Sequence, residues 1–434
     1  MRLKIFGVLL AGLLLVSWTR ARARGEESGG EEGHSRPLTF EAGSNRFRKN
    51  PDGSFVNRLY NGVKAWHLDA ELSADEGVYE SDTEDRRDIR FYGEAAFRDS
   101  LRRLTADTLI YYEDTRRAVA LGGVLVVEGG RTLAADRVEY LKTENEITAS
   151  GAVSVYDDST RSRVTGETAS FNDSTGYGLI VGKPFLRKEE DGGVMTVSCR
   201  DSLEIFEEER IIRLWRDVVA FKDSIMMSCS DTLLIDDLAG TIRLWSNVLA
   251  VQDSLSAAAD FAVYHDSTET LTLTGGPSIR YAVMDTRDEA ESTLHTVSVV
   301  TGDTVRVVIH DKKITGAEVL GNAVSATASI DPAGVLFDRS VIESSRMTMT
   351  IENDFISQVS AEGTAMSYYH RNYKTDDRMV VNEAAGDTLT FSFDRGELTE
   401  MKIFGFGGGL GKGTYFNYEP EKARPDSSKA AGET

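Results

Sequence analysis

The stretch LAADRVEYLKTENEITASG, residues 133–151, contains the pattern that decides the fold. Asp136 is followed at the second and fourth place by an apolar residue, and charged residues stand between them. Apolar side chains at every second place are typical of a β-strand that buries one face. The polar run KTENE indicates a turn, and the stretch ends at Gly151, fifteen residues after Asp136. The stretch therefore predicts two strands joined by a turn, each ending at a small or acidic residue.

This pattern recurs along most of the chain as two alternating anchor positions. The first anchor is acidic in every copy but one, and its copies are Asp75, Asp107, Asp136, Glu167, Asp201, Asp231, Asp260, Asp303, Ser345 and Asp387. The second anchor is usually glycine and follows fifteen or eighteen residues later, at Gly93, Gly122, Gly151, Gly182, Arg216, Ser246, Gly275, Gly321, Gly363 and Gly405. We interpret the chain as about ten repeats of strand structure.

The anchors predict the path of each strand. Small residues allow two backbones to meet at a tight fold line, so we expect every strand to bend at its anchor. Polar turn signals such as YEDTRR, NDSTG and HDSTE lie between the anchors. The sequence therefore predicts an elongated all-β fold, in which antiparallel V-shaped strands form a groove with an apolar lining.

The spacing of the anchors also predicts the domain organisation. The repeat period is about 30 residues in the first part of the chain and 42 residues in the last part. The predicted segments are a signal peptide over 1–23, a weakly ordered N-terminal lead over 24–54, a sheet of about 30-residue repeats over 55–280, a polar connection over 281–298, a sheet of 42-residue repeats over 299–417, and a disordered tail over 418–434.

The first residues have the pattern of a secretory signal. Arg2 and Lys4 precede an apolar run over 5–18, which is too short to span a bilayer comfortably. The A-x-A-like sequence at 21–23 is typical of a cleavage site, and the arginines around it leave an uncleaved anchor as the alternative. The signal predicts export of the rest of the chain from the cytoplasm.

Charge and residue pattern argue against nucleic-acid binding and catalysis. The chain has 49 Lys+Arg against 70 Asp+Glu, a formal net charge of -21, which would repel phosphates. The six histidines are scattered and match neither a metal-ligand spacing nor a catalytic triad. The run GFGGGLGKGT, residues 405–414, lacks the Ser or Thr that follows the lysine of a phosphate-binding loop. We predict no enzyme activity, no cofactor and no metal site.

The two cysteines provide a test of topology. Cys199 and Cys229 occupy the same position in successive repeats. With V-shaped antiparallel strands another pass lies between them, about 10 Å separates their Cα atoms, and a disulfide cannot form. A parallel β-helix with one repeat per rung would instead place them about 4.8 Å apart. We predict two separate, mostly buried thiols.

Two longer stretches show a family resemblance. LYNGVKAWHLDAELSADEGVY, residues 59–79, and residues 120–158 resemble the OstA-like family. That family includes the periplasmic lipopolysaccharide-transport protein LptA and the N-terminal domain of the LptD translocon. The shared pattern is a G-x-V strand, a short turn and L-x-A-D-x-x-x-Y, which here begins at Gly122 and Leu133. The resemblance covers roughly residues 55–405.

The resemblance implies a twisted antiparallel β-jellyroll, open along one side, that shelters the acyl chains of lipopolysaccharide. It implies a periplasmic location, with association with the outer or inner membrane as a further option. Expected partners are lipopolysaccharide or a similar glycolipid, and other lipopolysaccharide-transport components that dock end to end by strand pairing. A homo-oligomer is a further option.

The apolar positions beside the anchors are the candidate lining of the groove. The candidates are Leu109, Tyr111, Val124, Val126, Val138, Tyr140, Val153, Val155, Leu203, Ile205, Leu233 and Ile235. A continuous apolar lining would shelter fatty chains, since each exposed CH₂ costs about 0.8 kcal/mol. Two alternatives remain open: the same side chains fill a closed sandwich core, or the chain is a structural or assembly protein of the cell envelope that binds no lipid.

Overall fold

The computed structural model of this chain describes residues 38–418 except for short gaps. The gaps are residues 83–86, 191–192, 223–224, 253, 287–292, 311–312, 331–333, 335, 353–354, 374–377, 395–396 and 406–411. The predicted signal peptide, the first part of the predicted lead and the predicted tail after residue 418 lie outside the described residues.

Within those limits every regular element is a β-strand, and the strand pairs are antiparallel. The strands are β1 Thr39–Lys49, β2 Phe55–His67, β3 Ala70–Ala74, β4 Glu76–Ser81, β5 Arg87–Arg98, β6 Arg102–Tyr112, β7 Arg117–Glu128, β8 Arg131–Leu141, β9 Glu146–Asp157, β10 Ser162–Asn172, β11 Tyr177–Val181, β12 Phe185–Glu190, β13 Gly193–Ser198, β14 Ser202–Phe206, β15 Ile211–Trp215, β16 Val218–Lys222, β17 Ile225–Cys229, β18 Thr232–Asp236, β19 Thr241–Gln252, β20 Leu255–His265, β21 Thr270–Thr274, β22 Ser278–Thr286, β23 Thr293–Thr301, β24 Thr304–His310, β25 Lys313–Ile330, β26 Leu336–Glu352, β27 Phe355–Tyr373, β28 Arg378–Asp394, β29 Glu397–Phe404 and β30 Lys412–Tyr418. The predicted all-β, antiparallel fold class is confirmed.

None of the described segments is a helix of the length and apolar character needed to cross a membrane.

The described strands fall into two compact units. The first contains residues 38–222 and 229–242, and the second contains residues 225–228 and 243–418. The division lies within β19, whereas the sequence predicted a polar connection over 281–298. Much of that stretch belongs to β22 and β23, which pair with each other from Ser278↔Thr301 to Thr286↔Thr293. Alternating residues such as Tyr281 and Val297 allow these segments to pair as strands despite their polar neighbours.

In the first unit each pass of the chain has two arms that belong to two different walls. β10 shows the arrangement, because its residues 162–165 pair with β12 and its residues 168–172 pair with β11. We call the wall that contains β3, β12, β13 and β16 the first wall, and the wall that contains β4, β11, β14, β15 and β18 the second wall. The longer strands contribute one arm to each wall, and their pairing shifts register between the arms. The strands therefore bend at the anchors, as the repeat predicts.

The anchors bend the strands because they contact each other across neighbouring passes. Gly151 has φ +79°, and a Cβ at this position would lie 2.7 Å from the Cβ of Asp136. Gly275 and Asp260 have the same relation at 2.6 Å, and the amide of Asp260 donates a hydrogen bond to the carbonyl of Gly275 (3.0 Å). The second anchor is usually glycine because the backbone is left-handed there and the acidic residue of the adjacent pass fills the Cβ position. Arg216 (φ +63°) and Ser246 (φ +66°) are second anchors with the same left-handed backbone. The contact between the anchors explains their fixed spacing in the sequence.

The two cysteines lie beside these bends, in equivalent places. Both thiols are free and buried, with Cys199 4% and Cys229 3% exposed. The Sγ of Cys199 donates to the carbonyl of Ser202 (3.2 Å), and the Sγ of Cys229 donates to the carbonyl of Thr232 (3.3 Å). Burial raises the pKa of the Cys199 thiol to about 11. The prediction of two separate buried thiols is confirmed.

The second unit also has two-armed strands, and from β25 to β28 their arms are longer. β25 and β27 contain 18 and 19 residues, whereas β6 and β8 of the first unit contain 11 each. Their bends lie at Gly321 (φ +69°) and Gly363 (φ +76°), the predicted second anchors. Longer arms between the same anchors account for the 42-residue period.

β1 lies in a segment that the sequence assigned to a weakly ordered lead. It pairs with β2 along its length, from Thr39↔Trp66 to Lys49↔Phe55. Most residues of β1 are exposed, and its composition is polar, as in NRFRK at 45–49. Such a composition suits an exposed strand at the edge of a sheet. The apolar repeat did not indicate this strand because it has no strongly buried face.

Candidate functional site

The predicted lining residues lie on the inner faces of the two walls of the first unit. The second wall carries Leu109, Tyr111, Val138, Tyr140, Leu203, Ile205, Leu233 and Ile235, and the first wall carries Val124, Val126, Val153 and Val155. Eleven of the twelve are at most 5% exposed, and Val155 is half-buried. Their inward orientation agrees with the sequence interpretation, and their role toward a ligand stays a prediction.

Strand register joins these residues into continuous apolar ladders. On the first wall, Val126 pairs with Leu104 on one side and Leu133 on the other. On the second wall, Leu109 pairs with Phe91 and with Ala120. Further buried lining residues that were not singled out from the sequence are Ile89, Phe91, Phe97, Leu104, Ile180 and Met195. They follow the same alternation as the candidates, so the period-two pattern could have identified them.

Side chains from the two walls fill the space between them. The rings of Phe97 on the first wall and Tyr140 on the second lie edge to face, with their centroids 6.1 Å apart. Phe91, Leu109 and Val138 are fully buried. The interior is therefore a buried apolar layer, and an additional apolar chain could enter only if the walls move apart.

A histidine–tyrosine pair lies within this layer, near the ends of the arms. His67 of the first wall is 4% exposed, and its Nδ1 lies 2.7 Å from the hydroxyl of Tyr111 of the second wall. The two rings meet edge to face at 5.7 Å. Burial raises the pKa of Tyr111 to about 12. The pair therefore joins the walls through a polar contact whose tyrosine stays neutral over the physiological pH range.

This pKa predicts how stability depends on pH. Because the pKa of Tyr111 is higher in the folded chain than the ordinary 10.0, the folded state holds the proton longer than the unfolded state. The stabilisation is fully present below pH 10 and should be lost as the pH rises toward 12, by about 2 kcal/mol. Urea unfolding at several pH values should show that the free energy of unfolding falls more steeply above pH 10 for the natural chain than for Tyr111→Phe. Parallel declines would contradict the assignment.

The ends of the arms form an edge at which the walls meet through polar side chains. Turns 68–69 and 99–101 lie at the ends of first-wall arms, and turns 113–116, 142–145 and 173–176 lie at the ends of second-wall arms. The Nζ of Lys142 lies 2.5 Å from Oδ1 of Asp69 and 3.6 Å from Oδ2 of Asp99. Arg102 of the first wall pairs with Asp173 of the second. Charged groups therefore cover the apolar layer along this edge.

The second unit has a differently composed interior. The inner face of one wall is apolar and buried at Val305, Met347 and Leu389. The facing arms carry half-buried hydroxyls instead, among which Ser298 and Thr327 are hydrogen-bonded at 2.9 Å. On the opposite, outer surface of those arms lies a cavity of about 410 Å³, lined by Val341, Glu343, Met366, Ser367, Tyr368, Glu383, Ala384 and Ala385. The candidate lining residues all belong to the first unit, which is the unit with the continuous apolar interior.

The described residues include no cluster of three or more His, Cys, Asp or Glu side chains that is placed to hold a metal ion. Arg131 and Asp157 of the first unit form an ion pair (3.0 Å), in which the two opposite charges compensate each other. The first unit has a buried apolar interior and a charged edge.

No protein-family model matches this chain, and neither does any curated protein. One similar solved structure is that of LptH from Pseudomonas aeruginosa, described as the LptA-homologous periplasmic component of the lipopolysaccharide transport device. It is 16% identical, the match covers 27% of this chain and 84% of that chain, and the TM-score is 0.25. At this identity and TM-score no property of LptH is carried over to this chain.

Proposed function

We propose that this chain is a periplasmic carrier or bridge that shelters the acyl chains of lipopolysaccharide, or of a similar glycolipid, during transport to the outer membrane. The observation that carries the proposal is the continuous apolar layer between the two walls of the first unit. The signal-like segment at 1–23 and the resemblance of residues 59–79 and 120–158 to the OstA-like family support the same interpretation.

An interior of this kind removes the main cost of moving a lipid through water. Each CH₂ that leaves water contributes about 0.8 kcal/mol, so a chain of a dozen methylenes gains on the order of 10 kcal/mol. The ladders keep the same apolar character from pass to pass, with Val126, Leu133 and Val164 at equivalent positions of the first wall. A uniform lining lets the acyl chain shift between passes without a large barrier.

Exposed strand edges support end-to-end docking as part of this proposal. β1 pairs with β2, and its other edge has no strand partner in the described part of the chain. β29 and β30 pair with β28 and likewise show no further partner there. Free backbone donors and acceptors on such strands suit pairing with a strand of another transport component or of a second copy.

A second candidate function is a structural or assembly protein of the envelope that binds no lipid. The observation that favours it is the close packing of the interior, in which Leu109 and Val138 are fully buried against neighbouring side chains. In that case the apolar layer serves only to hold the two walls together. The two functions differ in whether a lipid ever contacts the inner faces.

Photo-crosslinking at two adjacent leucines distinguishes the functions. Leu233 lies on the inner face and is 1% exposed, whereas Leu234 is its half-buried neighbour on the outer face. A photoreactive phenylalanine derivative at position 233 should crosslink to labelled lipopolysaccharide about tenfold more than the same group at 234, because successive side chains point to opposite faces. The outward-facing Glu139 provides a second control. Equal crosslinking at all three positions, or none, would favour the structural protein.

A further inference from the structure

We infer that the charged edge of the first unit is a latch, in which ion pairs between turns of opposite walls hold the apolar interior shut and open it when they separate. The latch consists of Asp69, Asp99 and Arg102 on the first wall and Lys142 and Asp173 on the second. It concerns the same interior as the proposed function but does not depend on what that interior binds.

Lys142 is the centre of the latch because it contacts two turns of the opposite wall. Its Nζ lies 2.5 Å from Oδ1 of Asp69 and 3.6 Å from Oδ2 of Asp99. Asp99 is held in place, since its Oδ1 accepts hydrogen bonds from the amides of Leu101 (2.9 Å) and Arg102 (2.8 Å), and its side chain is 3% exposed. Burial acts to raise the pKa of Asp69, but the hydrogen bond and charge of Lys142 outweigh it, and this pKa lies below its ordinary value.

Arg102 forms the second part of the latch. Its side chain is 2% exposed, its Nε donates to Glu128 of the same wall at 2.9 Å, and its Nη2 pairs with Asp173 of the opposite wall. The guanidinium lies over the ring of Tyr140, 4.9 Å from the centroid. Arg102 therefore covers a lining residue of the second wall and holds that wall by charge at the same time.

The two long edges of the unit are held together in different ways. At the bends the walls are joined by the covalent chain and by backbone hydrogen bonds, such as the one from the amide of Asp75 to the carbonyl of Gly93 (3.1 Å). At the other edge, the backbone hydrogen bonds between turns stay within one wall. An example is the bond from the amide of Asp158 to the carbonyl of Gly130 (3.0 Å). The contacts that cross this edge are made by side chains, so the walls can separate here without breaking the sheet.

The chemistry of these contacts makes the latch releasable. The pair of Lys142 with Asp69 is the partly exposed part of the latch, and salt screens exposed charges over about 10 Å at 0.1 M ionic strength and about 3 Å at 1 M. The buried side chains of Asp99 and Arg102 are screened less. The apolar contacts beneath them are not weakened by salt. Removing the charges should therefore raise the frequency of opening without melting the strands.

The test measures access to the interior by thiol labelling and uses no lipid. Val126→Cys places a reporter on the inner face, at a position that is 5% exposed, and the natural Cys199 at the bends reports on global unfolding. A water-soluble maleimide is added, and mass spectrometry resolves the rate at each cysteine. Lys142→Met should speed labelling of residue 126 about tenfold, the effect of losing a charge-assisted contact, while Cys199 keeps its rate. Lys142→Arg should keep the rate of the parent.

A matched control removes an ion pair that does not join the walls. Arg137 pairs with Glu139 at 2.8 Å on the outer face of one strand, so Arg137→Met should leave the labelling of residue 126 unchanged. Raising NaCl to about 1 M should speed labelling more in the parent than in Lys142→Met, which keeps only the buried Arg102–Asp173 part of the latch. The proposal is contradicted if residue 126 is labelled in Lys142→Met at the same rate as in the parent. It is also contradicted if the labelling rates of residue 126 and Cys199 increase equally. Because no lipid is present, either result leaves the crosslinking test of the proposed function unaffected.

Discussion

Gly151→Ala is expected to lower the free energy of unfolding by about 3 kcal/mol. Two costs combine at this bend. The backbone has φ +79°, a left-handed conformation that costs a residue with a Cβ about 1 kcal/mol. The new Cβ would also lie 2.7 Å from the Cβ of Asp136, so two neighbouring passes must move apart, which typically costs about 1–3 kcal/mol.

Two controls separate these costs in urea unfolding curves. Gly123 also has a positive φ of 53°, but nothing lies within 4 Å of an added Cβ. Gly123→Ala should therefore lower the free energy of unfolding by only about 1 kcal/mol. Adding Asp136→Gly to Gly151→Ala removes the colliding Cβ and should recover part of the loss. Equal losses for the two single alanine variants would show that the contact between the anchors does not determine the bend.

Val126→Asp should have the second large effect, a loss of about 4 kcal/mol or outright unfolding. Val126 is 5% exposed and lies between Leu104 and Leu133 on the inner face, where a carboxylate would be buried among apolar groups without a partner. Leu125 is 39% exposed on the outer face, so Leu125→Asp should change stability by less than about 0.5 kcal/mol.

Circular dichroism melting of the two variants provides the comparison. The substitutions introduce the same side chain at adjacent positions of β7, so composition and helix or strand propensity are matched. A large difference assigns Val126 to the core face and Leu125 to the solvent face. Comparable melting temperatures would contradict the two-wall arrangement, since they would mean that the two faces of β7 are buried to a similar degree.

The repeat in the sequence predicted the lining because each lining position depends on its own strand. Alternation around Asp107 places Leu109 and Tyr111 on one face, whatever lies across from them. The same local argument predicted the bend at Gly122, and the structure adds the close contact with Asp107 that favours glycine there. Local patterns of this kind can be interpreted from one sequence, because a strand face and a left-handed bend are set by neighbouring residues.

The latch could not be predicted in this way. Lys142 and Asp69 are 73 residues apart, and Arg102 and Asp173 are 71 apart. In the sequence each looks like an ordinary polar turn residue, and the pairs form only because one wall is offset by several passes relative to the other. The strands β22 and β23 were missed for a related reason, because the polar segment between them obscured the pairing of Tyr281 with Ser298.

The pairing of each arm with the next pass has a consequence for how the chain acquires its structure. Most hydrogen-bonded partners in the first unit lie within one repeat of each other, as Leu109 and Ala120 do. Short-range contacts of this kind form quickly and let ordered segments grow from any hairpin by adding neighbours. We therefore expect folding to proceed by the successive addition of neighbouring hairpins. The ion pairs between the two walls, which join residues distant in the sequence, should form last.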